Sequence, residues 1–425
     1  LDAYDQIRLR QPNLHLRLHA GTPPALRARA YEVLKKGGGM PALFNDAVVI
    51  PAIQALGAEA DDARNYSIVG CVEWSVPGKS FPAAGAGFLS LPAALDEALR
   101  ARVVEAERPA FATMEDVLTV FRERMERLVQ SAVDGNDAIE RAHALWRPTP
   151  LLSLLVEGCH AAARDVTAGG ARYNSSGLQG VGLADVADSL TAIEQLVFVE
   201  KRVSLARFLE AVDTDFATDE ALHRRILRKV AHYGEDAGRA EHYAAWVARE
   251  YCDLVRHHVN PRGGPYVPGF WSMTTHVGFG SRLGALPSGR KASRPLADGI
   301  SPVNGCDRRG PTASLLAATR PGGTHVGNGL ALNEKIDPCF AAGEDGTRLI
   351  DGLTRGFFAA GGMQVQYNII DPCILIDAKA HPERHRDLVV RISGYSAYFN
   401  DLTEQMKDDI IARTLHGAES GGLAC

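Results

Sequence analysis

The chain has 425 residues, of which 46% are hydrophobic and 23% are charged, as is usual for a globular protein that buries a sizeable core. Its formal net charge of −5 lacks the basic surplus that accompanies nucleic-acid binding. No apolar run reaches the roughly 20 residues of a membrane span, and no basic-then-apolar signal segment opens the chain. We therefore expect a cytoplasmic protein without membrane or nucleic-acid partners.

The cysteines and histidines show no spacing that is typical of a disulfide framework or a metal site. Fourteen histidines occur without an HExxH motif, and seven cysteines are scattered over the chain without a CxxC pair. We therefore expect free thiols in a reducing compartment and no protein-bound metal. The cysteines are Cys71, Cys159, Cys252, Cys306, Cys339, Cys373 and Cys425.

In chain order, the first predicted elements are a strand and two helices. Residues 14–19 alternate between apolar and polar side chains, which is the period of a half-buried strand. A helix over about residues 25–36 ends at the three glycines 37–39, and residues 44–50 introduce another helical stretch. The three glycines are interpreted as a helix stop rather than as a phosphate cradle.

The middle of the chain is predicted to be mainly helical. Helical patterns with charged faces run over about residues 91–135, and a second helical region begins near residue 138 and ends at the prolines before residue 151. The glycine-rich segment between residues 165 and 182 is predicted to be a loop, followed by a helix over 188–198. Two polar-faced helices are expected between residues 217 and 260.

The last part of the chain is predicted to mix short strands with one closing helix. Residues 273–280 and 364–368 have strand-like patterns, and the closing helix is expected over about residues 401–414. Asn174 and Gln179 are polar residues of the glycine-rich segment. They are candidates either for substrate contact or for tying the loop.

Glycine motifs give no support for a nucleotide cofactor. Residues 78–80 (GKS) match the end of a Walker A motif, but the glycine required five positions earlier is Glu73. Gly278, Gly280 and Gly284 do not fit the GxGxxG pattern of dinucleotide sites. We therefore predict no bound cofactor.

A first candidate catalytic residue is Cys71, in the segment YSIVGCVE over residues 66–73. A single free cysteine is usually a small buried hydrophobic residue. In an extended loop, however, residues two apart point to the same side, so the Cys71 thiol and the Glu73 carboxylate can face one substrate. An apolar setting would keep the thiol protonated, and burial would raise the pKa of Glu73 and suit it to act as a general base.

A second candidate is Gly394, in the segment RISGYSAYF over residues 391–399. A lone glycine here can be a turn residue chosen for its freedom at positive φ. The segment also resembles the radical-bearing loop of the glycyl radical enzymes, the group that includes pyruvate formate-lyase and anaerobic diol dehydratases. Residues 70–73 (GCVE) match the active-site loop of the same group, and two matches in the family's order favour this interpretation.

The resemblance implies a radical relay. Gly394 would be the modified residue that stores an organic radical, Cys71 would carry it to substrate as a thiyl radical, and Glu73 would be the base. A glycine suits the storage role because a radical α-carbon is planar and a β-carbon would crowd that plane. A separate radical-SAM activating enzyme, with SAM and a 4Fe–4S cluster, would install the radical anaerobically. A small-molecule substrate and a homodimer are the other partners implied.

The resemblance also implies the fold. We expect an α/β fold that forms part of a ten-stranded barrel with surrounding helices, in which the two loops meet. Residues 1–285 would be the C-terminal part of the pyruvate formate-lyase-like domain, and residues 286–425 the glycyl radical domain. Family members are about twice as long, so the chain would be a fragment or would need a partner chain. Its lack of an initiator Met favours a fragment.

The reaction follows less directly. Pyruvate formate-lyase uses two adjacent cysteines, whereas Gly70 precedes Cys71 here, which favours the Cys-x-Glu branch of the family. We expect dehydration of a small diol such as glycerol or propanediol. Alternatives are hydroxyproline dehydration, C–N or C–S lyase or decarboxylase chemistry, or a formate acetyltransferase-like reaction. A non-catalytic spare-part protein and an inert remnant remain open too, as does the effect of Trp74, where many relatives carry proline.

Overall fold

The computed structural model describes residues 1–104, 111–235 and 238–413. Its strands are short and are distributed along the whole described chain. They are β1 (His15–Leu18), β2 (Ala42–Asn45), β3 (Ser67–Val69), β4 (Glu73–Ser75), β5 (Ala83–Ser90), β6 (Ser176–Val181), β7 (Tyr266–Gly269), β8 (Asn333–Ile336), β9 (Gln364–Ile369), β10 (Val389–Arg391) and β11 (Ser396–Tyr398).

Helices connect and surround these strands. Within the described residues they are α1 (Asp2–Ile7), α2 (Pro24–Leu34), α3 (Asp46–Ala55), α4 (Ala60–Arg64), α5 (Leu91–Val104), α6 (Met114–Trp146), α7 (Pro150–Ser153), α8 (Cys159–Ala162), α9 (Leu183–Ile193), α10 (Leu205–Asp213), α11 (Glu220–Lys229), α12 (Arg239–Arg256), α13 (Thr275–Gly280), α14 (Pro311–Ala318), α15 (Gly343–Ala359), α16 (Pro372–Ala380) and α17 (Glu404–Ala412).

The strands form two sheets and two hairpins. The first sheet has the order β1-β2-β9-β8, with an antiparallel pairing of β2 and β9 between two parallel pairs. The second sheet is parallel, with the order β5-β6-β7. The hairpins β3-β4 and β10-β11 are separate from both sheets and carry the candidate site residues at their tips.

Both sheets are covered by helices, as in other α/β folds. Strands β6 and β9 are buried along their whole length, and so is helix α9, which packs against α12. Strands β8 and β9 come from the C-terminal part of the chain, yet they share a sheet with β1 and β2. The sheet therefore contains strands from both sides of the proposed boundary near residue 286.

Three predicted elements differ from the structure. The glycine-rich segment contains the central strand β6, in which Gly177 must be a glycine because a β-carbon there would collide with the Asn328 side chain and with the carbonyl of Ala84. Helix α6 continues through Gly135, where a break was expected, because its buried face extends on both sides of that residue. Residues 275–280 are helical and not a strand.

The remaining elements agree with the sequence patterns. Strands β1 and β9 and helices α2, α11 and α12 lie where they were predicted, and the closing helix is α17. Cys373 is disulfide-bonded, so the expectation of free thiols is wrong at that residue, while Cys71 and Cys306 are free. Residues 414–425 lie outside the described part. None of the described helices is both long and apolar enough to span a membrane.

Candidate active site

Cys71 lies at the tip of the β3-β4 hairpin. Val69 pairs with Glu73, so the turn consists of only three residues, 70–72. The sequence predicted an extended loop here, and that detail is wrong. The cysteine and the carboxylate nevertheless converge, because Glu73 folds back over the turn and its Oε2 accepts hydrogen bonds of 2.7 Å from the backbone N–H groups of both Cys71 and Val72.

Gly70 makes this return of the carboxylate possible. Its φ of +66° lies in the left-handed region that glycine adopts without strain. A β-carbon at this position would lie 2.8 Å from Oε1 of Glu73, closer than real β-carbon contacts come. The glycine before Cys71 is therefore required by the backbone and by the carboxylate together.

Gly394 lies at the tip of the other hairpin. Arg391 pairs with Ser396, and a hydrogen bond of 2.8 Å from Ile392 N–H to the Tyr395 carbonyl closes the four-residue turn. Gly394 has a φ of +91°. A β-carbon on it would lie 3.0 Å from both Cα and Sγ of Cys71, and nearer still to Cβ of that cysteine. The two hairpin tips thus touch, and only a glycine permits this approach.

Two side chains hold the carbonyl of Gly394. Asn13 donates from Nδ2 at 2.7 Å, and Arg391 donates from a terminal guanidinium nitrogen at 2.9 Å. Asn13 also donates to the Gly70 carbonyl at 3.2 Å, so one amide bridges both hairpins. Arg391 is fully buried and also donates to Gln366 at 2.6 Å and to Oδ1 of Asn13 at 2.7 Å. Burial lowers the pKa of Arg391 to about 10.

Further hydrogen bonds hold the backbone of the Gly394 hairpin just before the glycine. Arg413 donates to the carbonyls of Arg391 and Ile392 at 2.9 Å each, and Asn333 donates to the Ile392 carbonyl at 2.8 Å. Sequence reasoning missed Asn13, Arg391, Asn333 and Arg413 as site residues. The one available signal was Arg391, a charged residue in the otherwise apolar run that leads into the Gly394 segment.

A second buried chain of polar groups reaches the residue before Gly394. The Ser272 hydroxyl lies 3.0 Å from Nδ1 of His276 and 3.4 Å from the Ser393 hydroxyl, and Nε2 of His276 lies 3.3 Å from the Asp409 carboxylate. All four residues are buried. These hydrogen-bonded groups connect the Gly394 hairpin to helix α17.

The Cys71 side chain is buried in an apolar cluster that has Glu73 and Arg391 as charged neighbours. Burial, and secondly the neighbouring Glu73 carboxylate, raise the pKa of the Cys71 thiol to about 12, so it is protonated at neutral pH. Burial also raises the pKa of Glu73, although the backbone N–H groups that it accepts from oppose the shift. Both directions agree with the sequence prediction. The buried apolar cluster around Cys71 consists of Ala42, Phe44, Val72, Trp271 and Ala331.

His15 borders the site, but its imidazole does not carry the second ring proton that it would donate as a general acid at neutral pH. Its Nε2 lies 3.2 Å from the Cys71 carbonyl, and its ring meets Phe44 edge to face. Burial, with the nearby charge of Arg391, lowers the pKa of His15 to about 4. The imidazole is therefore neutral at neutral pH and contributes to the low polarity around Cys71.

The other polar residues singled out in the sequence tie the backbone together. Asn174 donates to the Ala171 carbonyl at 2.7 Å and Gln179 to the Ala84 carbonyl at 2.9 Å. Lys79, from the false Walker motif, forms an ion pair of 2.6 Å with Asp62. Trp74 is buried, and its Nε1 has no hydrogen-bond partner among the described residues.

Comparison with known proteins places this arrangement in a family. A family model described as pyruvate formate lyase-like matches residues 1–280, and one described as glycine radical matches residues 296–400. Trans-4-hydroxy-L-proline dehydratase of Clostridioides difficile is 32% identical over 97% of this chain and 54% of its own length. The (2S)-3-sulfopropanediol dehydratase of Klebsiella oxytoca is 32% identical over 97% of this chain and 52% of its own length.

Solved structures show the same fold. The glycerol-bound B12-independent glycerol dehydratase of Clostridium butyricum superposes with a TM-score of 0.94 at 35% identity, over 98% of this chain and 54% of that one. This confirms the expected α/β fold. The chain spans about half the length of the curated relatives it matches. With one family model covering most of the chain and a second covering the Gly394 hairpin, the chain belongs to the pyruvate formate lyase-like glycyl radical enzymes.

Proposed function

We propose that the protein catalyses the radical elimination of water from a small hydroxylated substrate such as glycerol or propanediol. In this proposal Gly394 stores the radical, Cys71 exchanges hydrogen atoms, and Glu73 is the base. The observation that carries it is the contact between the two hairpin tips, which brings Gly394 against the side chain of Cys71. Relatives named as dehydratases of hydroxyproline, sulfopropanediol and glycerol support the reaction type.

The proposed reaction moves hydrogen atoms between Gly394, Cys71 and the substrate. A radical-SAM activating enzyme removes one hydrogen atom from Gly394, whose radical then takes the hydrogen of the Cys71 thiol. The thiyl radical abstracts a hydrogen atom from a substrate carbon that bears a hydroxyl group, and Glu73 removes the proton of that hydroxyl. The neighbouring hydroxyl group takes up one proton and leaves as water, which balances the proton that Glu73 has removed. The product radical recovers a hydrogen atom from Cys71, so a diol gives a carbonyl compound and water.

The electrostatics of the site suit this chemistry better than nucleophilic catalysis. A hydrogen-atom carrier must hold its hydrogen, and a pKa of about 12 keeps the Cys71 thiol intact. Nucleophilic cysteines instead have lowered pKa values. A buried Glu73 with a raised pKa is matched to proton transfer nearer neutral pH than an exposed glutamate.

The same proposal includes the organisation and the partners of the protein. Residues 1–285 would carry the Cys71 hairpin and residues 286–425 the glycyl radical domain, a division that falls between the two ranges matched by the family models. The activating enzyme would be a separate protein with SAM and a 4Fe–4S cluster. The protein would act in the cytoplasm as a homodimer and would bind no further cofactor.

Anaerobic activation followed by electron paramagnetic resonance tests the proposal. The protein is labelled with glycine deuterated at the α-carbon and treated with its activating enzyme. We expect a doublet in the unlabelled protein that collapses on labelling, and loss of water from glycerol, propanediol or hydroxyproline. A radical without dehydration of any of these substrates, or release of sulfite from isethionate, would contradict the assigned reaction. Absence of the glycyl signal would contradict the relay itself.

A further inference from the structure

Three potential metal ligands meet away from the hairpin tips. They are the Asp188 carboxylate, the His232 imidazole and the Cys306 thiol, all buried, with one ligand atom of each within 4.8 Å of the others. Asp188 lies on helix α9, His232 follows α11, and Cys306 precedes α14. No spacing in the sequence relates these positions, which explains why metal motifs did not reveal them.

Both ring nitrogens of His232 face oxygen acceptors, and Nδ1 is the nitrogen that faces Asp188. Its Nε2 lies 3.3 Å from the Ile226 carbonyl, an acceptor, so Nε2 carries a hydrogen and donates it there. Its Nδ1 lies 3.1 Å from Oδ2 of Asp188. Metal-binding histidines are typically held in this way, with the second ring nitrogen donating to a carbonyl or carboxylate.

The Asp188 carboxylate is also held in place by a hydrogen bond. Its Oδ1 accepts a hydrogen bond of 2.7 Å from the Tyr233 backbone N–H, which leaves Oδ2 directed at His232. An imidazole nitrogen and a carboxylate oxygen at this distance share either a proton or a metal ion. A proton satisfies that one contact, whereas a metal ion would also be bound by the third group, the sulfur of Cys306.

A cavity borders two of the three groups. Asp188 and Cys306 both line a cavity of about 400 Å³ that also contacts Asn304 and Ser288. Water entering this cavity can complete a four-coordinate site. One carboxylate, one thiolate and one neutral imidazole carry a charge of −2 together, so a divalent ion gives a neutral centre, which avoids the cost of a buried net charge.

We propose that Asp188, His232 and Cys306 bind a divalent metal ion of the zinc class. Sulfur and imidazole ligands favour zinc over magnesium or calcium, which prefer oxygen ligands. Binding would release the thiol proton of Cys306, and any proton on Nδ1 of His232, to solvent. It would join segments from the ranges matched by the two family models, because Cys306 belongs to the second and the other two ligands to the first.

Cobalt titration tests the site. Chelator-treated, reduced protein is titrated anaerobically with Co²⁺, whose visible absorption reports tetrahedral geometry and whose near-ultraviolet charge-transfer band reports a thiolate ligand. We expect one equivalent to bind with both features, and Zn²⁺ to displace it and raise the thermal midpoint, because binding stabilises the folded state. No charge-transfer band in the folded wild-type protein would overturn the proposal.

Variants assign the band to these ligands. Cys306→Ser should abolish it, and Asp188→Asn, which still accepts from Tyr233 N–H, should weaken Co²⁺ binding while the protein stays folded. Cys339→Ser is the matched control, because Cys339 is an exposed free thiol outside the cluster and its loss should leave the spectrum unchanged. A band that persists in Cys306→Ser, or that disappears in Cys339→Ser, would place the metal elsewhere and refute the site. Glycyl radical formation is not used as a readout, so this test is independent of the proposed function.

Discussion

Gly394 lies against Cys71 so closely that a β-carbon on the glycine would be 3.0 Å from the cysteine sulfur. The Gly394→Ala substitution should therefore abolish the radical and also destabilise the fold. A left-handed backbone costs an alanine about 1–2 kcal/mol, and the collision with Cys71 adds to this. Electron paramagnetic resonance and urea unfolding measure the two effects.

Gly361→Ala is the control that measures the cost of the left-handed backbone alone. Gly361 has a similar φ of +96°, but an added β-carbon would meet nothing within 4 Å. The Gly361→Ala variant should lose only the roughly 1–2 kcal/mol of unfolding free energy that a left-handed alanine costs, and it should keep the radical. Equal destabilisation by the two substitutions would show that the hairpin tips are not in contact.

Gly70 allows a second test, which separates the base from the radical store. In Gly70→Ala the new β-carbon would displace the Glu73 carboxylate, so we expect the Gly394 radical to form and turnover to be lost. Gly78→Ala is matched to it, because Gly78 has a similar φ of +73° in open space. Equal turnover in the two variants would argue against Glu73 as the base.

The Cys71 thiol should resist alkylation. With a pKa of about 12, raised mainly by burial, almost no thiolate is present at a pH of about 8. Iodoacetamide should therefore modify Cys71 in the folded protein more slowly than the exposed Cys339, as followed by mass spectrometry of peptides. Rapid modification of Cys71 would indicate a nucleophilic cysteine.

Cys71→Ser should keep the Gly394 radical and lose all turnover.

The convergence of the predicted site residues could be anticipated from the sequence, while the contacts that hold them together could not. Cys71, Glu73 and Gly394 stand in short local motifs, where residue type and neighbours carry the information. Asn13, in contrast, contacts the Gly394 carbonyl across 381 positions in the chain, and no local pattern marks it. Long-range packing determines such contacts.

The fold shows the same division. Strand β9 has a clear periodic pattern and was predicted near its observed bounds, and helix α12 lies in the region predicted to hold two helices. The glycines of strand β6 predict a loop, but the missing side chain of Gly177 leaves room for Asn328 and the Ala84 carbonyl in the structure. A glycine normally weakens the prediction of a strand, but it occurs within a strand where another segment of the chain packs closely against the backbone.

Glu73 should give both activity and stability a pH dependence. Burial raises its folded-state pKa, so the acid limb of turnover should lie above the pH at which an exposed glutamate titrates. The favourable contribution of protonated Glu73 to folding is complete below its unfolded pKa and is lost as pH rises through the folded pKa. Glu73→Gln removes this loss, since its side-chain oxygen can still accept from the two backbone N–H groups.

The difference in unfolding free energy between Glu73→Gln and wild type should therefore shift in favour of the variant from acid to neutral pH. Urea unfolding at a series of pH values measures it. A difference that stays constant with pH would mean that Glu73 titrates normally.

Asn13 tests the bridge between the hairpins. Asn13→Ala removes the hydrogen bonds to the carbonyls of Gly394 and Gly70, while Arg391 still donates to the former. We expect the radical to form but turnover to fall about tenfold, since about 1.4 kcal/mol is of the order that two neutral hydrogen bonds contribute. The altered carbonyl environment should also change the hyperfine splitting of the radical. Asn65→Ala, at an exposed position, is the control, and equal turnover in both variants would leave Arg391 alone as the residue that positions Gly394.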